Sequence, residues 1–173
     1  MGFRIVPHDP AWRLAFEHEA ATISAALMPT GIDLHHIGST AIPGILAKPV
    51  IDLMGIVGDL AGLDLRNDGL VGLRYEVMGA FGIEGRRYFR KFGADGQRSH
   101  HLHIFEAGSP HIERHLAFRD YLRTHPVKAA DYSGLKARLA SDPAMRWEDY
   151  MDAKAPFITA TEQEALAWYR GQG

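Results

Sequence analysis

The sequence predicts a mixed α/β (α+β) fold: a small mixed β-sheet packed by helices, with further helices forming the C-terminal third. Three observations carry this. Short apolar runs of strand length, punctuated by glycine and proline, occupy residues 32–106. Helically spaced apolar residues mark 11–27, and helical spacing returns from residue 113 to the end. Strands in the middle and helices at both ends fit one mixed sheet covered by helices.

The elements follow in order. Ile5-Val6 reads as a short strand or lead-in, broken by Pro7-His8-Asp9-Pro10. Asp9 is the expected N-cap, with Pro10 at the first helical position. A helix over about Ala11–Leu27 carries Trp12, Phe16, Ile23 and Leu27 on one stripe and ends at Met28-Pro29-Thr30-Gly31. Ile32–Ile37 reads as a strand closed by Gly38-Ser39, and Pro43-Gly44 as a turn. Pro49 starts the next strand, Val50–Val57, which Gly58-Asp59 ends. Leu60–Leu73 is a helix weakened by internal glycines, and Tyr75–Met78 a short strand. A Gly-rich, basic connection over 79–92 has strand character at Arg87–Lys91. His100–Glu106 is a strand, and helices cover 113–126, Val127–Leu139 and Trp147–Arg170. No repeat, low-complexity tract or linker interrupts this order.

Composition excludes several classes. A chain of 173 residues is expected to form a single domain over 1–173. A domain of that size buries about 70% of the surface its unfolded chain exposes. With 19 basic and 21 acidic residues the net charge is −2, so no global positive field argues for nucleic acid, although a local basic patch is compatible with it. The absence of cysteine excludes disulfides, thiolate zinc sites and cysteine nucleophiles. The N-terminal residues lack a signal-like apolar core, and no run approaches the roughly 20 apolar residues of a membrane span. A cytoplasmic location without a membrane partner is therefore expected. The apolar C-terminal helix around Leu166, Trp168 and Tyr169 serves either a partner or the core.

The chemistry-bearing residues fall in five places. At Gly38-Ser39, glycine permits close backbone approach to a phosphate while Ser39 and the turn amides donate hydrogen bonds; equally, Ser39 or Thr40 simply caps a short helix. After twelve intervening residues stands Asp52, inside the apolar run Val50-Ile51-Asp52-Leu53-Met54. A carboxylate there must be paired, protonated or metal-bound. Period two puts Asp52, Met54 and Ile56 on one strand face. It likewise puts His101 and His103 together, with His100, Leu102 and Ile104 opposite; two imidazoles beside a carboxylate form a transition-metal donor set. In the basic stretch 85–91, Arg87, Phe89 and Lys91 share a face, a pattern that suits a nucleotide or a solvated hairpin. Among the later helices, Arg119 stands one turn from His115 and from Arg123 and is a further phosphate candidate, while Lys154 reads as a surface lysine. No GxSxG elbow, P-loop, HExxH or GxGxxG in strand–helix context is present.

Five segments in order, PHDPAW, HIGSTAIPGILAKPVIDL, GRRYFRK, HHLHIFEAGSP with HLAFRDYLRTHP, and YMDAKAPFI, resemble the GrpB family (UPF0157), which is assigned to the nucleotidyltransferase superfamily. The resemblance implies a fold like the catalytic core of DNA polymerase beta. It implies a Gly-Ser turn at Gly38 and Ser39, a first catalytic acid at Asp52, a second at position 54 and a third on a later strand. Position 54 is Met54, and the later strand carries imidazoles. Two-magnesium nucleotidyl transfer needs carboxylates that hold both cations. The implied activity is metal-assisted transfer with Asp52 and Ser39 as catalytic residues. Gly38, Ser39, Thr40, Lys48, Arg87 and Arg119 then face phosphate, and Asp52, His101 and His103 face a divalent metal (magnesium, manganese or a transition metal). The implied partner is a nucleotide or another phosphorylated small molecule, with RNA as a further candidate. The alternatives are a non-catalytic binder of such ligands and a His-His-Asp transition-metal site.

Overall fold

A computed structural model describes residues 3–172. In chain order the elements are α1 (Ala11–Leu27), β1 (Asp33–Ile37), a 3-10 turn (Ser39–Ala41), β2 (Ile51–Val57), α2 (Leu60–Asp64), α3 (Asn67–Gly72), β3 (Glu76–Val77), β4 (Arg86–Phe92), β5 (Arg98–Glu106), α4 (Pro110–Thr124), α5 (Pro126–Ala140) and α6 (Trp147–Gly171). The predicted mixed fold is thus observed. Among the described residues no helix is long and apolar enough to cross a membrane.

The chain forms two compact units, interleaved in sequence. One comprises residues 10–37 and 50–112. It holds the five-stranded sheet, ordered β1-β2-β5-β4-β3, with β2 and β5 parallel and the other pairs antiparallel. One sheet face carries Leu53, Val57, Leu102, Ile104 and Phe89, all buried. Here α1 packs on β1 and β2, and α3 on α1 and β3. The face is not wholly apolar. Glu19 of α1 accepts hydrogen bonds from the Tyr75 hydroxyl and the Lys91 ammonium, and lies 3.8 Å from His100. Burial alone would raise the Glu19 pKa, but these donors hold it below the ordinary value.

The predicted helix over 60–73 is two helices. Asp59 caps the first by accepting from Ala61 and Gly62 N–H. The break lets the second approach α1 closely: a Cβ added at Gly69 would stand 2.5 Å from the Ala26 carbonyl oxygen. Gly69→Ala is therefore expected to destabilise the fold by about 2 kcal/mol, against the helix propensity of alanine, because backbone rather than a side chain must move. A urea midpoint no lower than wild type would refute that contact.

The other unit comprises the described parts of 1–9, 38–49 and 113–173. Its core joins Ile42 and Ile45 to Leu122, Ala129 and Tyr132, with Phe118, Tyr121, Phe157 and Ile158 packed against them. Four hydrogen bonds, two of them from the Val6–Ala47 bridge, hold the end of the 3-10 turn and the segment after it. The Arg123 guanidinium donates to the Ala41 carbonyl (2.8 Å), Leu46 N–H donates to Ser133 Oγ (2.9 Å), and Ala47 pairs with Val6. The expected N-terminal strand is only this bridge. Pro10 has helical dihedrals (φ −57°, ψ −23°) directly before Ala11, in keeping with its expected place at the first helical position.

Candidate functional site

Strand register arranges the face of the sheet opposite α1. Asp52 pairs with His101 across the parallel β2–β5 ladder and with Ile37 across β1–β2. One step along, His35, Met54, His103 and Tyr88 form a row across four strands. The expected pairing of His101 with His103 on one strand face is observed, and the register brings Asp52 to that same face, where the side chains converge. His101 Nδ1 lies 3.2 Å and His103 Nε2 3.7 Å from Asp52 Oδ1. Behind them, Arg86 Nη1 lies 3.3 Å from His103 Nδ1. Because a guanidinium only donates, that Nδ1 accepts, which leaves the Nε2–H of His103 directed at the carboxylate. The Arg86 guanidinium also spans the Ala80 and Phe81 carbonyls and lies over the Tyr88 ring.

Desolvation would raise the Asp52 pKa, but hydrogen bonds from the two imidazoles outweigh it and hold the carboxyl well below the ordinary carboxylate range. About a quarter of the side chain (26%) still reaches solvent, which tempers the desolvation. His101 Nε2 is buried with no hydrogen-bond partner among the described residues.

Two-cation chemistry does not fit this donor set. Met54 is fully buried where a second carboxylate is needed, and the facing residue on β5 is His103. The nearest imidazole atom, His101 Nδ1, serves Asp52 as a hydrogen-bond donor. Among the described residues no group of three His, Asp or Glu side chains is arranged to hold a metal ion.

In the other unit the turn has a distinct environment. Gly38 has φ 74° and ψ −173°, a conformation essentially reserved for glycine. Ser39 is part-exposed and accepts from the Lys136 ammonium at 2.8 Å. Lys136 is only 2% exposed; its Nζ lies 4.2 Å from the Tyr132 ring centroid. No carboxylate of the described residues pairs with it, and burial together with the Lys154 ammonium pushes its pKa down to about 7. Lys154 is buried too, against Tyr150 (4.4 Å), and Lys48 lies over Trp147 (4.1 Å). Three lysines are thus gathered among aromatic rings in a chain that is net negative.

Several sequence expectations sit elsewhere. Thr40 is buried in the 3-10 turn. Arg87 projects to the α1 side of the sheet, opposite Asp52, and forms a bidentate pair with Asp64 at 2.8 and 3.0 Å. Arg119 pairs with Asp120 at 2.7 Å. Lys154 is not a surface lysine: it shares the buried stripe of α6 with Tyr150, Thr161 and Ala165. Sequence reasoning missed Lys136 altogether, although it stands one turn from Tyr132 and two from Ala129 on the buried stripe of α5. A lysine on an apolar helical stripe was the available signal in both cases.

The sequence pattern of the family described as "GrpB protein" matches residues 3–164. The chain belongs to the GrpB family. A solved GrpB from Enterococcus faecalis is 41% identical and superposes with a TM-score of 0.89, covering 96% of this chain and 99% of its own. The UPF0157 protein YqkA of Bacillus subtilis (strain 168) is 38% identical over 97% of this GrpB chain, which spans about half (48%) of that protein's length. The Cid1 poly(U) polymerase, solved with MgGTP bound, superposes at a TM-score of 0.53 with 12% identity, over 77% of this chain and 44% of its own. The GrpB fold is therefore nucleotidyltransferase-like.

Proposed function

We propose that this chain binds a polyphosphate-bearing ligand, a nucleotide or another phosphorylated small molecule, at the Gly38–Ser39 turn with Lys136. One observation carries the reading: the buried Lys136 ammonium on the hydroxyl of the glycine turn, with no carboxylate among the described residues paired to Lys136 and with the buried Lys154 ammonium near it. Burying like charges together destabilises a fold, so such a pair is expected where an anion completes it. Gly38 allows backbone approach, and Ser39 supplies a hydroxyl to a phosphate oxygen.

A second reading, metal-assisted nucleotidyl transfer, draws on Asp52, which stays ionised far below neutral pH. The donor set around it, two imidazoles and the buried Met54, argues against the two-cation form of that chemistry.

A thermal-shift series tests both. It uses ATP, GTP, CTP, UTP, tripolyphosphate and a short RNA, each with and without magnesium, manganese, zinc or nickel. A ligand at a hundredfold excess over its dissociation constant stabilises by about 2.7 kcal/mol. Stabilisation by tripolyphosphate or a nucleotide that is lost in Lys136→Met is the expected outcome; no shift with any of them removes the binding reading. Pyrophosphate release that disappears in Asp52→Asn would restore the transfer reading.

A further inference from the structure

The contact between Ser39 and Lys136 has the form of a nucleophile and its base. We propose that Ser39 is an activated nucleophile with Lys136 as its general base, competent for acyl transfer from an ester or thioester to water. This goes beyond ligand binding, because it assigns covalent chemistry to the same hydroxyl.

The geometry has four parts. The two side-chain atoms stand 2.8 Å apart, within the reach that proton transfer requires. Ser39 is a part-exposed residue while Lys136 is buried, an arrangement that leaves the serine open to an electrophile and keeps water from the base. The charged group facing Lys136 from α6 is Lys154, and the ring beneath it is Tyr132 of its own helix. A neighbouring cation and an apolar wall are the surroundings that leave a lysine amine neutral near pH 7. Gly38, with its glycine-only backbone, puts the serine directly after a sharp turn.

The steps balance without a co-reactant other than water. Ser39 Oγ bonds to the acyl carbon as its proton passes to Lys136 Nζ, and the carbonyl becomes an oxyanion. Collapse breaks the bond to the leaving oxygen or sulfur, which takes the proton from Lys136. Water then attacks the acyl-serine; Lys136 accepts its proton and returns it to Ser39 Oγ as the acid departs. Serine–lysine pairs of this kind occur on unrelated folds.

The test is covalent labelling of the full chain with phenylmethylsulfonyl fluoride, and separately with p-nitrophenyl acetate, read by intact mass and peptide mapping. The expected result is a single adduct on Ser39. Its rate should rise with pH through an apparent pKa near 7, the value to which burial and Lys154 bring Lys136. Ser39→Ala should abolish the adduct. Lys136→Met should slow it at least 100-fold, and Lys136→Arg should not rescue it, because a guanidinium cannot accept the proton. The pH profile uses the unaltered chain, so the test survives a variant that fails to fold. No adduct at Ser39, a rate equal to that of other serines, or a rate indifferent to Lys136→Met overturns the proposal. Tripolyphosphate binding measured by calorimetry on the same samples separates the two readings. Binding without labelling removes the nucleophile and keeps the anion site, and labelling without binding does the reverse.

Discussion

Lys136→Met is expected to make the protein more stable at pH 6, by about 2 kcal/mol, while abolishing polyphosphate binding. Methionine is near in length, and the site it would occupy is already walled by Tyr132 and only 2% exposed. Replacing buried charge with packed apolar volume stabilises by about 1–4 kcal/mol in comparable cases. Loss of the bond to Ser39 Oγ offsets about 1 kcal/mol of this. In a domain of this size about 2 kcal/mol corresponds to about 4–8 °C in Tm. The pH dependence has a definite sign. Folding lowers the lysine pKa from 10.5 to about 7. Between those values the unfolded chain holds a proton that the folded chain has released, so wild-type stability from this group rises with pH across that window. Below about pH 7 its full destabilisation remains. The advantage of the variant should therefore be greatest at pH 6 and shrink toward pH 10. Denaturant titrations at pH 6, 8 and 10 check this; a variant less stable than wild type at pH 6 would show that Lys136 is not an unrelieved buried charge. A residue whose removal strengthens the fold and removes binding is one held for the ligand.

Asp52→Asn is expected to destabilise the fold by about 2 kcal/mol at pH 7. The substitution takes away the charged acceptor that both His101 and His103 face. Breaking a fully buried pair costs about 3–5 kcal/mol; the quarter of Asp52 that reaches solvent lowers that figure. Because the folded pKa lies below the ordinary 3.8, Asp52 stabilises the fold above about pH 4, and the contribution disappears as pH falls through the folded value. Wild type and variant should therefore differ most at neutral pH and converge in strong acid. Urea unfolding at pH 7 and pH 3 measures the difference; an equal gap at both would mean that the imidazoles do not stabilise the carboxylate.

Much of the architecture was legible because hydrophobic periodicity acts locally. The stripe of Trp12, Ile23 and Leu27 marks α1 at its observed bounds, and alternation marks β2 and β5 to within two residues. Alternation also told which side chains share a face, so Asp52 with His101 and His103 followed once the two strands were neighbours. That they are neighbours, parallel and in that register, rests on pairing between residues about fifty apart, for which no local pattern exists. Arg87 shows the same limit from the other side. Its face was predicted correctly relative to Phe89 and Lys91, but only the sheet order reveals that this face belongs to α1 and that Asp64 takes the guanidinium.

The chain's own pattern thus established the family, the order of helices and strands, the Gly38–Ser39 turn and the lone acid at Asp52, all properties of short segments. Tertiary packing settled the charge states and partners. It buried Lys136 and Lys154 with no carboxylate among the described residues paired to Lys136, and it surrounded Asp52 with imidazoles in place of further acids. The reason is physical: a side chain's protonation depends on how much water it loses and which charges come within a few ångströms, and both are set by residues far away in sequence.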